Sequence, residues 1–289
     1  SSEIPIGTNY KAGGSAQLKS AVIFAGLNSF GETNISETMK SRDHTENMLL
    51  KNIQSIKIKN RKVKHIKVLG KKYLNPINMK IPGDPSSAAF FTALTLMNKN
   101  SSLKIKNVGL NPTRIGFYKL LKKQGAKINF SNIKKENNEF HGNILIKNSK
   151  IKPLKASKEY YVNSTDEYPI LFVIAALTEG ISIFRGIEDL ANKESNRILE
   201  MQKILKQIGI KSISSKKDLK IFGKGMVDAS DKKVLVPNIG DHRICMSSFI
   251  LASLTGAEIH IKNFETVYTS SPSFLKIMKT LGAKFEIQK

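Results

Sequence analysis

Four apolar segments recur along the 289-residue chain, and each opens on a small or acidic polar residue. They are SAQLKSAVIFAGL from Ser15, DPSSAAFFTALTL from Asp84, DEYPILFVIAALTEG from Asp166 and DHRICMSSFILASLTG from Asp241. Each is apolar almost all round, the pattern of a buried helix rather than a half-exposed one. Ser or Asp at the start is an N-cap choice, because its side-chain oxygen accepts a free N–H of the first turn.

The stretches downstream of these segments recur too. SSLKIKNV, GISIFRGI and AEIHIKNF alternate with period two and read as strands. Amphipathic helices come next, marked by Ile115, Phe117, Tyr118 and Leu121, by Ile198, Met201, Leu205 and Ile208, and by Phe274, Ile277, Met278 and Leu281. Each stops at a glycine, in QGAKINF, IGIKSI and LGAKFEI, and a strand leads away. The unit is strand, buried helix, strand, amphipathic helix and one or two strands, so the chain is α/β. The first copy reads as ragged after SRDHTENMLL. NMKIPGDPSS, residues 78–87, is the candidate hinge between two domains. FSNIKKENNEFHGN and KNSKIKPLKASKEY read as polar surface loops.

The formal charge of +24 invites a nucleic-acid reading. The excess is overwhelmingly Lys and runs through every segment, so a Lys-coated surface fits better than a binding groove. No apolar run approaches the ~20 residues of a membrane span, and no signal sequence opens the chain. Cys245 stands alone and cannot form an internal disulfide, which fits a reducing, cytoplasmic setting. The five histidines have no metal-ligand spacing, so no metal is expected. The chain opens at Ser1 without an initiator Met, and removal of something ahead of it is the expectation.

Overlaying the four segments brings polar residues into register at the helix starts: Ser15-Ala16-Gln17, Asp84-Pro85-Ser86-Ser87, Asp166-Glu167 and Asp241-His242-Arg243. A helix N-terminus favours anions. Capping accounts for Asp84 and its serines. It does not account for Arg243, a cation that opposes the dipole. A second set of charges opens the amphipathic helices, in SRDHTE (41–46), NPTR (111–114) and NKESNR (192–197). Only six arginines occur in so Lys-biased a chain. Arginine at these openings suggests bidentate grip on phosphate or carboxylate, with surface salt bridging an equal alternative for Arg114.

These residues together resemble the 5-enolpyruvylshikimate-3-phosphate synthase family. SAQLKSAVIFAGL, SRDHTE, PGDPSSAAFF, DEYPILFVIAAL, KESNRI and GDHRICMS carry the likeness, in order, over the whole chain. The resemblance implies transfer of the enolpyruvyl group of phosphoenolpyruvate to the 5-hydroxyl of shikimate 3-phosphate, with release of phosphate and with no metal or organic cofactor. It implies the enolpyruvyl transferase fold, repeated βαβαββ units in two domains forming an inside-out α/β barrel. Residues 1–81 would be the remainder of an incomplete first domain and 82–289 a second domain of three repeats. About a further hundred residues are expected ahead of Ser1, a whole-domain quantity, and this chain alone is expected to have little or no activity.

Position by position, the resemblance implies shikimate 3-phosphate contacts at Ser15, Gln17, Arg42, Asp166 and Lys193. It implies phosphoenolpyruvate contacts at Gln17, Arg197 and Arg243. Asp166 is implied as general base on the 5-hydroxyl and Glu194 as the proton-transfer group at the methylene carbon. Asn196 stands where the family has Asp, which puts the pose of Arg197 in question. Thr269 fills a slot where some members carry Lys, so a third cation on phosphoenolpyruvate is not identified. The two small molecules are the expected partners, with no nucleic acid, no membrane and a monomeric chain. The rival readings are a UDP-N-acetylglucosamine enolpyruvyl transferase and a basic nucleic-acid-binding repeat protein.

Overall fold

The structure is a computed structural model that describes residues 4–52 and 54–288. Its first segment runs β1 (Asn9–Ala12), α1 (Ala16–Asn28), β2 (Glu32–Glu37), α2 (His44–Leu49), β3 (Ile56–Asn60) and β4 (Lys64–Leu69). The sheet order is β1-β2-β4-β3, with β1 and β2 parallel and the other pairs antiparallel. This segment is therefore not ragged. Its hairpin turns Ile56, Ile66 and Val68 into the core. The glycine stop is replaced by a turn in which the Asn52 N–H donates to Leu49 O and Asn52 O accepts from Ser55.

The second segment holds α3 (Pro85–Met97), β5 (Ser102–Gly109), α4 (Gly116–Lys123), β6 (Lys127–Glu136) and β7 (Glu139–Lys147), in the order β5-β7-β6. A single parallel bridge, Gly83 to Val108, stands where a first strand would be. The third holds β8 (Lys155–Ala156), α5 (Lys158–Val162), α6 (Tyr168–Ala176), β9 (Gly180–Arg185), α7 (Arg197–Gln207), β10 (Lys211–Ser214) and β11 (Asp218–Gly223), in the order β8-β9-β11-β10. The fourth holds β12 (Lys233–Val236), α8 (His242–Thr255), β13 (Glu258–Ile261) and α9 (Phe274–Thr280), with β12 parallel to β13.

The expected polar loop at 130–143 is instead most of the β6–β7 hairpin. Asn137 and Asn138 both have positive φ, as a tight hairpin turn with right-handed twist requires. The second expected loop is one only in part, since Ile151 and Leu154 are buried and β8 and α5 begin within it. The strand expected after α9 does not form among residues 283–288. In the other segments the equivalent strand pairs only with the strand after it, as β3 does with β4 and β10 with β11. No such strand comes after α9 among the described residues.

Helices α3, α6 and α8 pack against one another and are apolar on every side, as their sequences require. Helix α1 differs. It packs on β1, β2 and β4, buries only Lys19, Ile23, Gly26 and Leu27, and exposes Leu18 and Phe24. The expectation of a helix buried all round fails there, because among the described residues no helix covers its outer face.

Two glycines fix how sheets meet helices. A Cβ at Gly70 would fall 1.8 Å from Ser29 O, and one at Gly223 1.9 Å from Thr178 O. The strand end thus lies directly on the helix C-terminus in both segments. The next N–H then satisfies a terminal carbonyl, Lys71 to Leu27 and Lys224 to Ala176. The hydrophobic residues form one cluster within 12–68 and another within 88–278. Residues 72–82 link them without helix or strand. No helix among the described residues is long and apolar enough to cross a membrane.

Candidate active site

The N-termini of α3, α6 and α8 come together at one end of the helix trio. Asp84 caps α3, its two oxygens accepting from the Ser86 and Ser87 N–H groups. Asp241 caps α8 through the Arg243 N–H, 3.0 Å away. Ser15 likewise caps α1. Asp166 is not a cap, contrary to the reading of its segment. A 3-10 turn at Thr165–Glu167 precedes α6, and Pro169 in the first turn has no N–H to offer. The Asp166 carboxylate is left to receive other donors.

Those donors are arginines. Arg42 Nη2 lies 2.5 Å from Asp166 Oδ2, and Arg114 Nη1 and Arg243 Nη2 each lie 3.3 Å from the same oxygen. Arg197 Nη1 is 3.9 Å from Oδ1. Four of the chain's six arginines thus surround one carboxylate, each from a different part of the chain. Burial by itself would raise the Asp166 carboxyl. The fields of Arg243 and Arg42, the Arg42 hydrogen bond and the field of Arg114 outweigh it and hold the group well below the usual carboxylate range.

The arginines are anchored behind. Arg197, essentially unexposed, donates from Nε to Asp241 Oδ2 at 2.9 Å and from Nη2 to Glu194 Oε2 at 2.5 Å. Asn196 has no part in this. It caps α7 by accepting from the Leu199 N–H, so the Asp-to-Asn departure leaves Arg197 oriented by Asp241. Arg114 donates from Nη2 to Asp84 Oδ1 and Ser86 Oγ, both at 2.7 Å. Ser86 also donates to Glu167. Burial raises the Glu167 carboxyl above its usual range, and the Asp166 charge adds to this against the opposing field of Arg114. Nη1 of Arg197 and Nε of Arg243 are buried and donate no hydrogen bond among the described residues.

Arg42 is positioned from the first core. Ser41 donates its N–H (2.9 Å) and hydroxyl (2.6 Å) to Glu37 Oε1. Glu37 belongs to a buried cluster in which Lys19 Nζ lies 2.9 Å from Glu37 and 2.8 Å from Glu46, and Lys64 Nζ 2.8 Å from Glu46. Residues just after Arg42 reach the second core. His44 Nδ1 and Asn47 Nδ2 meet Glu139 Oε1 at 2.9 and 3.0 Å, while Asn111 Nδ2 donates to both Asp43 and Glu139.

Of the sequence-derived candidates, Arg42, Asp166, Glu194, Arg197 and Arg243 come together. Ser15 and Gln17 make no hydrogen bond or ion pair with this cluster among the described residues, and Gln17 is exposed. Lys193 is paired with Asp189 Oδ2 at 2.6 Å, which also accepts from the Tyr161 hydroxyl. Sequence reasoning leaves Arg114 undecided and gives Asp84, Ser86 and Asp241 capping alone. The scarcity of arginine is the available signal for Arg114.

The family model described as EPSP synthase (3-phosphoshikimate 1-carboxyvinyltransferase) matches residues 7–278. A 3-phosphoshikimate 1-carboxyvinyltransferase from Zymomonas mobilis is 37% identical over 278 residues, covering 94% of this chain and 61% of that protein. One from Bacillus subtilis is 34% identical, covering 93% and 62%. The chain therefore spans about three fifths of the length of the curated relatives it matches. A solved EPSP synthase from Acinetobacter baumannii superposes with a TM-score of 0.85 at 33% identity, over 98% of this chain and 64% of that one. The enolpyruvyl transferase NikO from Streptomyces tendae shares the fold, with a TM-score of 0.75 at 12% identity over 98% and 66%.

Proposed function

The chain belongs to the EPSP synthase family, and on that premise we propose that its arginine-caged Asp166 serves transfer of the enolpyruvyl group of phosphoenolpyruvate to the 5-hydroxyl of shikimate 3-phosphate. The convergence of Arg42, Arg114, Arg197 and Arg243 on Asp166 carries this reading. Both substrates are polyanions, and cations must hold them side by side before a proton can move. The adjoining N-termini of α3 and α8 add the positive ends of their dipoles.

Asp166 takes the proton of the 5-hydroxyl as that oxygen attacks C2 of phosphoenolpyruvate. Glu194 delivers a proton to the methylene carbon, giving a tetrahedral ketal phosphate. Loss of phosphate and of a methyl proton then restores the double bond. Arg197 and Arg243 grip phosphoenolpyruvate, and their buried, unengaged N–H groups suit its oxygens. Arg42, with Ser15, Gln17 and Lys193, binds shikimate 3-phosphate, and Gln17 also contacts phosphoenolpyruvate. Because Asp166 and Glu194 both lie against the Arg197 guanidinium, base and acid would flank one bound ketal.

The finer architecture belongs to the same proposal. Residues 82–289 form a domain of three repeats of the βαβαββ kind around α3, α6 and α8, the last without its closing strands among the described residues, and residues 1–81 the remainder of a like domain. The separate hydrophobic clusters and the bare apolar face of α1 support this. The setting is cytoplasmic, which suits the single buried thiol of Cys245.

The test is competition between acceptors, followed by the arginine Nε–H resonances of the purified chain. Shikimate 3-phosphate is expected to shift Arg42 and Arg243, and UDP-N-acetylglucosamine to leave them unmoved. The reverse result, or no response to shikimate 3-phosphate, overturns the reading.

A further inference from the structure

The arginines around Asp166 are not alike. Both terminal nitrogens of Arg114 are engaged, Nη2 serving Asp84 and Ser86 while Nη1 faces Asp166. Among the described residues Arg42 makes one ion pair, and its side chain is 31% exposed. Arg243 holds Asp166 at 3.3 Å, reaches its backbone carbonyl only at 3.5 Å, and keeps Nε unengaged. Arg197 is held by Asp241 and Glu194, so Asp166 sits among donors of two kinds, two locked and two able to turn to another anion.

A caged carboxylate poses a chemical problem. With its charge this well compensated, Asp166 accepts a proton poorly, yet as the general base it must accept one. An arriving anion resolves this. A phosphate or carboxylate group that takes the Arg42 and Arg243 donors removes their field from Asp166 and adds a like charge beside it. Both effects raise its affinity for a proton.

We propose that Asp166 is a placeholder anion, which holds the arginines in register until a substrate anion displaces it from Arg42 and Arg243, while Arg114 keeps it aimed. Its role as base rests on the proposed enolpyruvyl transfer; the displacement itself does not. The charged groups facing Asp166 are Arg42 from the β2–α2 loop, Arg114 from the β5–α4 loop, Arg197 from α7 and Arg243 from α8. Glu167 adjoins it, and Asp84, Glu194 and Asp241 stand behind the arginines. Linkage makes the effect reciprocal: protonation of Asp166 strengthens anion binding by the factor by which the anion strengthens protonation, and the neutral side chain of D166N imitates the protonated state. A merely structural Asp166 predicts the opposite, because losing it would let the arginines disperse.

Inorganic phosphate is the probe, used with the whole chain. The carboxyl carbon of Asp166 is followed by NMR against pH with and without saturating phosphate. Without phosphate it is expected to stay ionised to the lowest pH at which the chain is folded. With phosphate, it is expected to titrate inside the folded range, with a midpoint at least one pH unit above the upper bound set without phosphate, a gain in proton affinity of tenfold or more. D166N is expected to bind phosphate several-fold more tightly than the parent at neutral pH, and R243Q more weakly. R114Q is expected to move the Asp166 midpoint up even without phosphate. A midpoint indifferent to phosphate, absence of phosphate binding, or a folded D166N that binds phosphate more weakly overturns the proposal. If D166N does not fold, the parent midpoint decides. None of these readings requires turnover, so they stand or fall separately from the acceptor test.

Discussion

Arg197 and Asp241 form an ion pair of 2.9 Å in which neither side chain meets solvent. Asp241 also caps α8 and accepts from Ser195, so one carboxylate ties the start of α7 to the start of α8. Removing one member of a buried pair leaves the other charge uncompensated, at a cost of about 3–5 kcal/mol. D241N is expected to lose stability on that scale in urea denaturation. N196D is expected to change stability by less than about 1 kcal/mol, since either side chain caps α7.

The Lys19, Glu37, Glu46 and Lys64 cluster makes a sharper energetic prediction. All four side chains are buried, and they join α1, β2, α2 and β4. K19M leaves Lys64 as the one cation against the buried Glu37 and Glu46 and is expected to cost about 3–5 kcal/mol, whereas replacing charges of both signs together is expected to cost much less than the sum of the singles. A double-mutant cycle on Lys19 and Glu46 in urea checks this. Additive losses would show that the pair does not interact.

The helices and their order were legible because burial imposes a simple rule. A helix packed on all sides must be apolar on all sides, as α3, α6 and α8 are. The same rule misread α1, since composition does not reveal which faces find a neighbour. The β6–β7 hairpin was missed because its distal half, from Ile133 to Asn138, faces largely outward and has no alternating apolar side. The charges lost on sequence reading were the long-range ones. Arg114 meets partners 30 and 52 residues away, and Glu37 needs both Lys19 and Lys64. Only the fold brings such groups together, so a sequence shows each as a solvated charge.

Glu139 is the hub of the contact between the two hydrophobic clusters, through His44, Asn47 and Asn111. E139A is expected to speed amide hydrogen exchange across residues 41–47 by tenfold or more and to leave α6 and α8 unchanged. Uniform acceleration throughout the chain would instead mark a general loss of stability.

Acid should find these same groups. Burial raises the Asp241 and Glu139 carboxyls, but the Arg197 hydrogen bond and charge on Asp241, and the His44, Asn47 and Asn111 bonds on Glu139, win and leave both below their usual values. A carboxyl depressed in the folded state contributes stability above its unfolded value, about 4, and loses it as pH falls through the folded value. Glu167 works the other way, because its raised carboxyl is most stabilising when protonated. Thermal melts are expected to decline steeply below about pH 4. E167Q is expected to be stabilising at pH 7 and to lose that advantage toward pH 4. An unchanged difference between the two pH values would refute the assignment to Glu167.

Cys245 provides a probe of the α8 start. It is buried, and burial, with the nearby Asp241 charge, pushes its thiol up to about 12. Its N–H donates to Asp241 O, so the thiol lies one turn from the buried ion pair. Only the thiolate reacts with disulfide reagents, and here reaction requires the helix trio to open. Labelling at pH 8 is expected to be slow and to accelerate with urea in step with unfolding. In D241N the native-state rate should rise by at least tenfold, because the lost ion pair and cap both lie at the end of α8 that shields the sulfur. Labelling of the parent chain as fast as a free thiol would place Cys245 at the surface and remove the basis for this prediction.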